Sequence, residues 1–145
     1  MCLICDRIEM IKRGTNPYFV KELETGYVVI GDNQHFYGYT LFLYKNHGNK
    51  TEIYHLEKKE QAKFLEEMTI VAEAVSKAFG AEKMNYELLG MGDAHIHWHL
   101  NPRRTGDIAV CYADPSKAKK EIGWVAEKGI EDMCKDAWNF IIKNR

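Results

Sequence analysis

The stretch "GDAHIHWHLNPRR", Gly92 to Arg104, places histidine at every second position: His95, His97 and His99. Ile96, Trp98 and Leu100 fall between and after them, and the three imidazoles are half of the six in the chain. Successive side chains on a β-strand point to opposite faces. The imidazoles therefore share one face and the apolar residues the other. The apolar face can bury against a helix, and the imidazole face must then meet a cleft, a metal or solvent. A polar outer face that merely happens to be histidine is the plain alternative. Clustering three imidazoles is costly, however, unless their ring nitrogens are used.

Two chemistries suit such a row. Imidazoles at i, i+2 and i+4 can converge on zinc. Alternatively, a neutral imidazole is a good nucleophile toward phosphorus near neutral pH, while its neighbours donate hydrogen bonds to phosphate oxygens as charge builds. The turn "GMGD" just upstream, with Gly92 and Asp93, offers backbone amides to an anion. Arg103 and Arg104 lie close by.

Around this strand the sequence reads as an α+β domain. "GYVVIGDN" (Gly26–Asn33) and Tyr39–Tyr44 read as strands of a hairpin joined by "GDNQHFYG". Phe64, Leu65, Met68, Val71, Ala72, Val75 and Phe79 recur at helical spacing, with Gly80 as a stop, which predicts one long amphipathic helix. "MNYELLG" (Met84–Gly90) is a third strand and "HIHWHL" a fourth, ended by Pro102. "LICDRIEMIKRG" predicts a short N-terminal helix that stops at Gly14. Beyond Pro102 the pattern is helical. A capped helix is expected to start near Pro115 or Ser116. A second, "IEDMCKDAWNFIIKN", has Ile130, Met133, Cys134, Ala137, Trp138 and Ile141 on one face. The sum is an antiparallel sheet with one long and several short helices, and an added helical C-terminal tail. Trp98 and the scattered Met68, Met84, Met91 and Met133 read as core. His35 and His55 read as exposed loop residues.

The 145 residues suffice for one domain with a real core. A composition of 46% hydrophobic and 28% charged residues with net charge −1 gives no broad electrostatic case for nucleic acid or a membrane surface. No apolar run approaches the ~20 residues needed to span a bilayer, and the N-terminus is too short and too acidic for a signal peptide. A cytoplasmic protein is expected. In that setting Cys2, Cys5, Cys111 and Cys134 are thiols or metal ligands rather than disulfides. Taken alone, Cys2-Leu3-Ile4-Cys5 is half a zinc site, a redox pair or two packed thiols.

"HIHWHLNPRR" resembles the signature of the histidine triad (HIT) family, and the likeness extends over residues 1–104: the "CLIC" start, a hairpin ending in "KNH", the long helix, then the triad strand. The resemblance implies a nucleotide-binding domain that hydrolyses or transfers nucleotides by attack on the α-phosphorus. His97 would be the nucleophile and form a nucleotidyl-histidine intermediate. His99 would hydrogen-bond the phosphate or the leaving-group oxygen, and His95 would order the site. Asp32 matches an acidic residue that binds ribose hydroxyls, a role chemically reasonable for a carboxylate. The resemblance also implies a structural zinc held by Cys2, Cys5, His47 and His95, no other cofactor, and a homodimer. Three places depart from the pattern. Asn101 replaces the last apolar residue, Tyr37 and Tyr39 stand where Pro-Gly-His is frequent, and "ELLGMGDA" replaces a segment that often supplies Asn and Ser.

From Arg103 onward, "GDIAVCYADPSKAKKEIGW" resembles the C-terminal end of UDP-glucose 4-epimerases, and a fusion at "RR-x-GD" is expected. Epimerase chemistry needs a dinucleotide-binding βαβ unit with a Gly-rich turn and a Tyr-x-x-x-Lys pair; "GMGDAH" does not open a helix, and neither feature is expected in the triad portion. Asp107, Asp114 and Trp124 read as turns, caps and core. Residues 105–145 are therefore expected to be a helical extension packed on the first domain or at a dimer interface. The leading reading is a nucleotide hydrolase or transferase attacking the α-phosphate of nucleoside phosphoramidates, dinucleotide polyphosphates or nucleotide sugars. The alternatives are a nucleotide-binding module with little turnover and a zinc-stabilised structural protein.

Overall fold

A computed structural model describes residues 2–106, 114–125 and 127–143, so Asp107 and Cys111 lie outside the described residues. The chain divides into two units, Met1–Asp107 and Ile108–Arg145.

The first unit is built on a five-stranded sheet: β1 (Phe19–Glu22), β2 (Gly26–Ile30), β3 (Thr40–Tyr44), β4 (Lys83–Glu87) and β5 (His97–Arg103). Its order is β1-β2-β3-β5-β4, and every neighbouring pair is antiparallel. The hairpin expected over residues 26–44 is present, running from Gly26 opposite Tyr44 to Ile30 opposite Thr40. The sheet has five strands where the sequence suggested four, because the edge strand β1 is exposed at all four residues and has no alternation to announce it. Pro102 does not end the triad strand; it sits inside β5 opposite Met84. Pairing with β3 stops at Leu100, so no ladder bond on that side needs the missing proline N–H.

Two helices cover the two faces. The long helix α2 (Lys58–Phe79) buries Phe64, Met68, Val71, Ala72 and Val75, the stripe expected from the spacing. It closes on Gly80, whose positive φ of 63° suits glycine. These side chains meet Val28, Phe42, Tyr44, Ile96 and Leu100 in one core, with Trp98 packed against it. Each such burial contributes about 1.5–3 kcal/mol. Helix α1 (Leu3–Lys12) packs Ile4 and Ile8 on the opposite face, against Tyr27, Val29, Leu41 and Leu43. Met68 and Met84 are core residues as expected, whereas Met91 and Met133 are exposed, in a turn and on the tail respectively.

In the second unit, α3 (Ser116–Ile122) begins where expected, with Asp114 Oδ1 accepting from the Ser116 amide at 3.0 Å. It ends at Gly123, and α4 spans Ile130–Lys143. Trp124 is exposed rather than core.

Candidate functional site

The triad lies on the α1 face of the sheet. His97 stands opposite Leu43 and His99 opposite Leu41, while Ile96, Trp98 and Leu100 turn to the α2 core. His95, just before β5, is almost fully buried, and His97 is buried beside it. Asn101 continues the same alternation. It is therefore a buried polar residue on the imidazole side, not a lapse in the apolar face.

With the three rings neutral, the hydrogen bonds admit one order of protons. His97 Nδ1 lies 2.6 Å from the His95 carbonyl, which can only accept, so Nδ1 carries the proton and Nε2 keeps a lone pair. His99 Nε2 lies 3.0 Å from that lone pair and must donate to it. His99 Nδ1 is then an acceptor and takes the hydroxyl proton of Tyr39, whose ring stacks on the imidazole. His95 Nε2 donates to the Tyr44 carbonyl at 2.6 Å, which leaves its Nδ1 lone pair facing the cysteines. Burial, and secondarily the neighbouring His97, pushes the His99 imidazole down to about 4. The proton chain therefore runs through a neutral ring. Burial lowers His95 as well.

A second cluster adjoins the first. Cys2, Cys5, His47 and His95 place one ligand atom each within 4.8 Å of one another. Cys5 Sγ is 3.1 Å from His47 Nδ1 and 3.5 Å from His95 Nδ1, and Cys2 Sγ is 3.8 Å from His95 Nδ1. Two sulfurs and two imidazoles are a donor set that zinc takes tetrahedrally. Bonds of about 2.3 and 2.0 Å would put such ligands roughly 3.3–3.8 Å apart. The residues fit that ion. In their protonated state burial, followed by Cys2, pushes the Cys5 thiol up to about 11.

An open cavity of about 280 Å3 beside His99 is lined by Asn33, His35, Phe36, Tyr39, Glu87, His99 and Asn101. His35, read from sequence as an idle loop residue, thus reaches the triad's surroundings. Arg103 stands over the Phe36 ring at 4.8 Å, and Arg104 over Tyr37 at 5.3 Å.

A model of the GDP-mannose 4,6 dehydratase family matches residues 33–137. UDP-glucose 4-epimerase of Haemophilus influenzae is 60% identical over 45 residues, 31% of this chain and 13% of that protein. The chain spans about a seventh of the length of the curated relatives it matches. Among solved structures, a hypothetical histidine triad nucleotide-binding protein from Sulfolobus tokodaii is similar over 71% of each chain, with TM-score 0.60 and 22% identity. A HIT family protein from Bacillus anthracis is similar over 98% of this chain and 96% of its own, with TM-score 0.59 and 20% identity. The chain belongs to the GDP-mannose 4,6 dehydratase family by sequence and carries a histidine triad fold. Its tail is the epimerase-like part.

The histidine triad body has no dinucleotide-binding βαβ unit among its described residues, because its sheet is antiparallel throughout. A Tyr-x-x-x-Lys spacing does occur at Tyr54 and Lys58, but Tyr54 is 72% exposed on a short 3-10 turn. The remaining residues singled out in the sequence have other hydrogen-bond partners. Asp32 lines a different cavity of about 280 Å3 with Leu3, Asp6, Arg7 and Tyr18. Arg7 Nη2 reaches both of its carboxylate oxygens, at 2.7 and 2.5 Å, and holds the Asp32 carboxyl below its ordinary range. Asp93 Oδ1 accepts from the Leu3 amide at 3.1 Å and so ties the turn before the triad to the start of α1. Gly92 is exposed and without a positive φ. Sequence reasoning missed Tyr39 and Phe36 as neighbours of the triad; the one available signal was an aromatic run in the loop just before β3. No helix among the described residues is long and apolar enough to cross a membrane.

Proposed function

We propose that the histidine triad body is a nucleotide hydrolase or transferase that works through His97. The proton order carries this reading: a buried imidazole whose Nδ1–H is held by the His95 carbonyl keeps an Nε2 lone pair, which His99 Nε2 covers at 3.0 Å in the resting state. In the first step Nε2 attacks the α-phosphorus of a nucleotide, the N–P bond forms and the bond to the leaving group breaks. The positive charge that appears on the His97 ring is stabilised by the His95 carbonyl oxygen. His99 gives up its bond to His97 at that moment and turns its N–H to the phosphate or leaving-group oxygen. Water then attacks phosphorus and the N–P bond breaks, which restores His97.

Asp32 is proposed for the ribose hydroxyls, which would compete with Arg7 for its oxygens. Gly92 and Asp93 are proposed for the phosphate. Nucleoside phosphoramidates, dinucleotide polyphosphates and nucleotide sugars are the substrate classes, and a homodimer is the proposed assembly. Zinc on Cys2, Cys5, His47 and His95 would be structural, since four protein ligands leave no open position. His95 would then serve both sites, its ring on the metal and its carbonyl on His97.

The test is steady-state nucleotide release from a panel of these substrates by wild type and His97→Ala. Turnover in wild type that falls by about 10³-fold or more in His97→Ala is expected for loss of a nucleophile. Equal turnover in both would overturn the assignment.

A further inference from the structure

Helix α1 carries a second stripe that the core does not use. Ile4 and Ile8 face the sheet. Leu3, Asp6, Arg7 and Met10, at i, i+3, i+4 and i+7, share one flank of the helix and line the cavity of about 280 Å3 that also holds Asp32. Leu3, Met10 and Tyr18 on its walls are 63%, 40% and 41% exposed, so the fold leaves three large apolar side chains here in solvent. Apolar walls with a few fixed polar groups suit a planar ring with polar edges.

The cavity adjoins the triad through Tyr39. A Cβ on Gly31, the neighbour of Asp32, would lie 2.3 Å from Tyr39 Cδ1, and the Tyr39 ring in turn stacks on His99. Burial raises the Tyr39 phenol first, and the charges of Glu87, Arg7 and Asp32 also act on it. A nucleotide whose phosphorus meets His97 and whose ribose meets Asp32 therefore brings its base to the α1 flank.

Arg7 carries its N–H donors in a rigid fork. Nη2 is given to the Asp32 carboxylate, at 2.7 and 2.5 Å, and the side chain is only 24% exposed. Ribose hydroxyls compete for the same oxygens. A part-buried guanidinium that loses its acceptors must find others, or the lost bonds count against the ligand. The bases differ in what they offer. Guanine presents two adjacent acceptors, O6 and N7, whereas adenine sets the N6 amino donor beside N7. That donor opposes the fork. On the corresponding edge uracil offers one acceptor and cytosine a donor.

We propose that Arg7 is the specificity-determining residue of this cavity and selects guanine nucleotides, its fork passing from the Asp32 carboxylate to O6 and N7 of the base as Asp32 takes the ribose hydroxyls. This rests on the nucleotidyl-transfer reading above. Two bonds to the base replace the two given to Asp32, so guanine keeps the guanidinium satisfied. Adenine leaves it half-paired. Arg7 thus decides which nucleotide is held, and takes no part in bond making or breaking at phosphorus.

The experiment is calorimetric titration of the full chain with GMP, AMP and 7-deaza-GMP. These monophosphates have no leaving group beyond the phosphate itself, so binding is read apart from turnover. Wild type is expected to bind GMP about tenfold or more tighter than AMP, the discrimination of one bidentate arginine–guanine pair. 7-deaza-GMP, with C–H in place of N7, is expected to bind about threefold or more weakly than GMP, because one of the two acceptors is gone. Arg7→Met keeps a long side chain without the fork and should bind GMP and AMP alike. Equal affinity of wild type for GMP and AMP, equal affinity for GMP and 7-deaza-GMP, or a guanine preference that survives in Arg7→Met would overturn the proposal. The 7-deaza comparison needs no change in the protein, so it decides even where Arg7→Met does not fold. A wild type that binds none of the three would instead overturn the nucleotide reading beneath it.

Discussion

Glu67→Ala is expected to destabilise the body strongly, although Glu67 lies on a surface helix and far from the triad in sequence. Its carboxylate is only 4% exposed. It accepts from the Glu24 amide at 3.0 Å, the Thr25 amide at 2.9 Å and the Thr25 hydroxyl at 2.5 Å. These bonds hold the turn between β1 and β2, and the Thr25 carbonyl in turn accepts from the Lys45 amide at 2.9 Å beyond the end of β3. The turn therefore anchors the end of the hairpin opposite to the loop that presents Tyr39. Alanine leaves two backbone donors without their acceptor, at about 1–3 kcal/mol for each buried group. Removing a buried carboxylate relieves part of its own desolvation cost. A net loss of about 2–4 kcal/mol follows. With a urea slope of about 2 kcal/mol per molar, the midpoint falls by about 1–2 M. Urea titration followed by far-ultraviolet circular dichroism reads this directly, and Glu67→Gln, which keeps an acceptor oxygen, should lose about half as much. A Glu67→Ala midpoint equal to that of wild type would refute the reasoning.

Three further outcomes follow from the same geometry. Phe64 is fully buried and stacks on Phe42 with ring centroids 5.0 Å apart, so Phe64→Ala should cost about 3–5 kcal/mol in the same titration. The His99 imidazole titrates near 4 in the folded protein and near 6.5 when unfolded, so between those values the unfolded chain binds a proton that the native state refuses. Its contribution to stability is present above about 6.5, is lost as pH falls toward 4 and levels off below that; urea midpoints at a series of pH values for wild type and His99→Gln should differ in that window. Cys5→Ser should abolish stoichiometric zinc, measured by elemental analysis of protein prepared with zinc, and should lower the thermal midpoint of the zinc-loaded protein to that of the chelator-treated wild type.

Much of this architecture was legible because burial leaves a periodic trace. Phe64, Met68, Val71 and Val75 repeat at helical spacing because one face of α2 is dry. Ile96, Trp98 and Leu100 alternate with imidazoles because β5 has a core on one side and a site on the other. Residues outside that rule were not legible. β1 is an exposed edge and alternates with nothing. Glu67 breaks the apolar face of α2 because its partners are backbone amides of a turn, which no spacing within the helix reveals. Pro102 looks like a stop and is tolerated only because β3 has already ended. Tyr39, Phe36 and His35 come to His99 from a loop, where neither period applies. Asp32 illustrates the converse. Its place after β2 was readable, whereas its grip on Arg7 depends on how α1 packs across the sheet.

The proposed attack of the His97 Nε2 lone pair on phosphorus leaves a covalent trace on the protein. Intact-protein mass spectrometry of wild type and His97→Ala, quenched after mixing with nucleoside phosphoramidates and dinucleotide polyphosphates, tests it most directly. A mass increase equal to one nucleotidyl group is expected in wild type, mapped to His97 by peptide fragmentation, and none in His97→Ala. An adduct that persists in His97→Ala, or turnover that survives without His97, would contradict it.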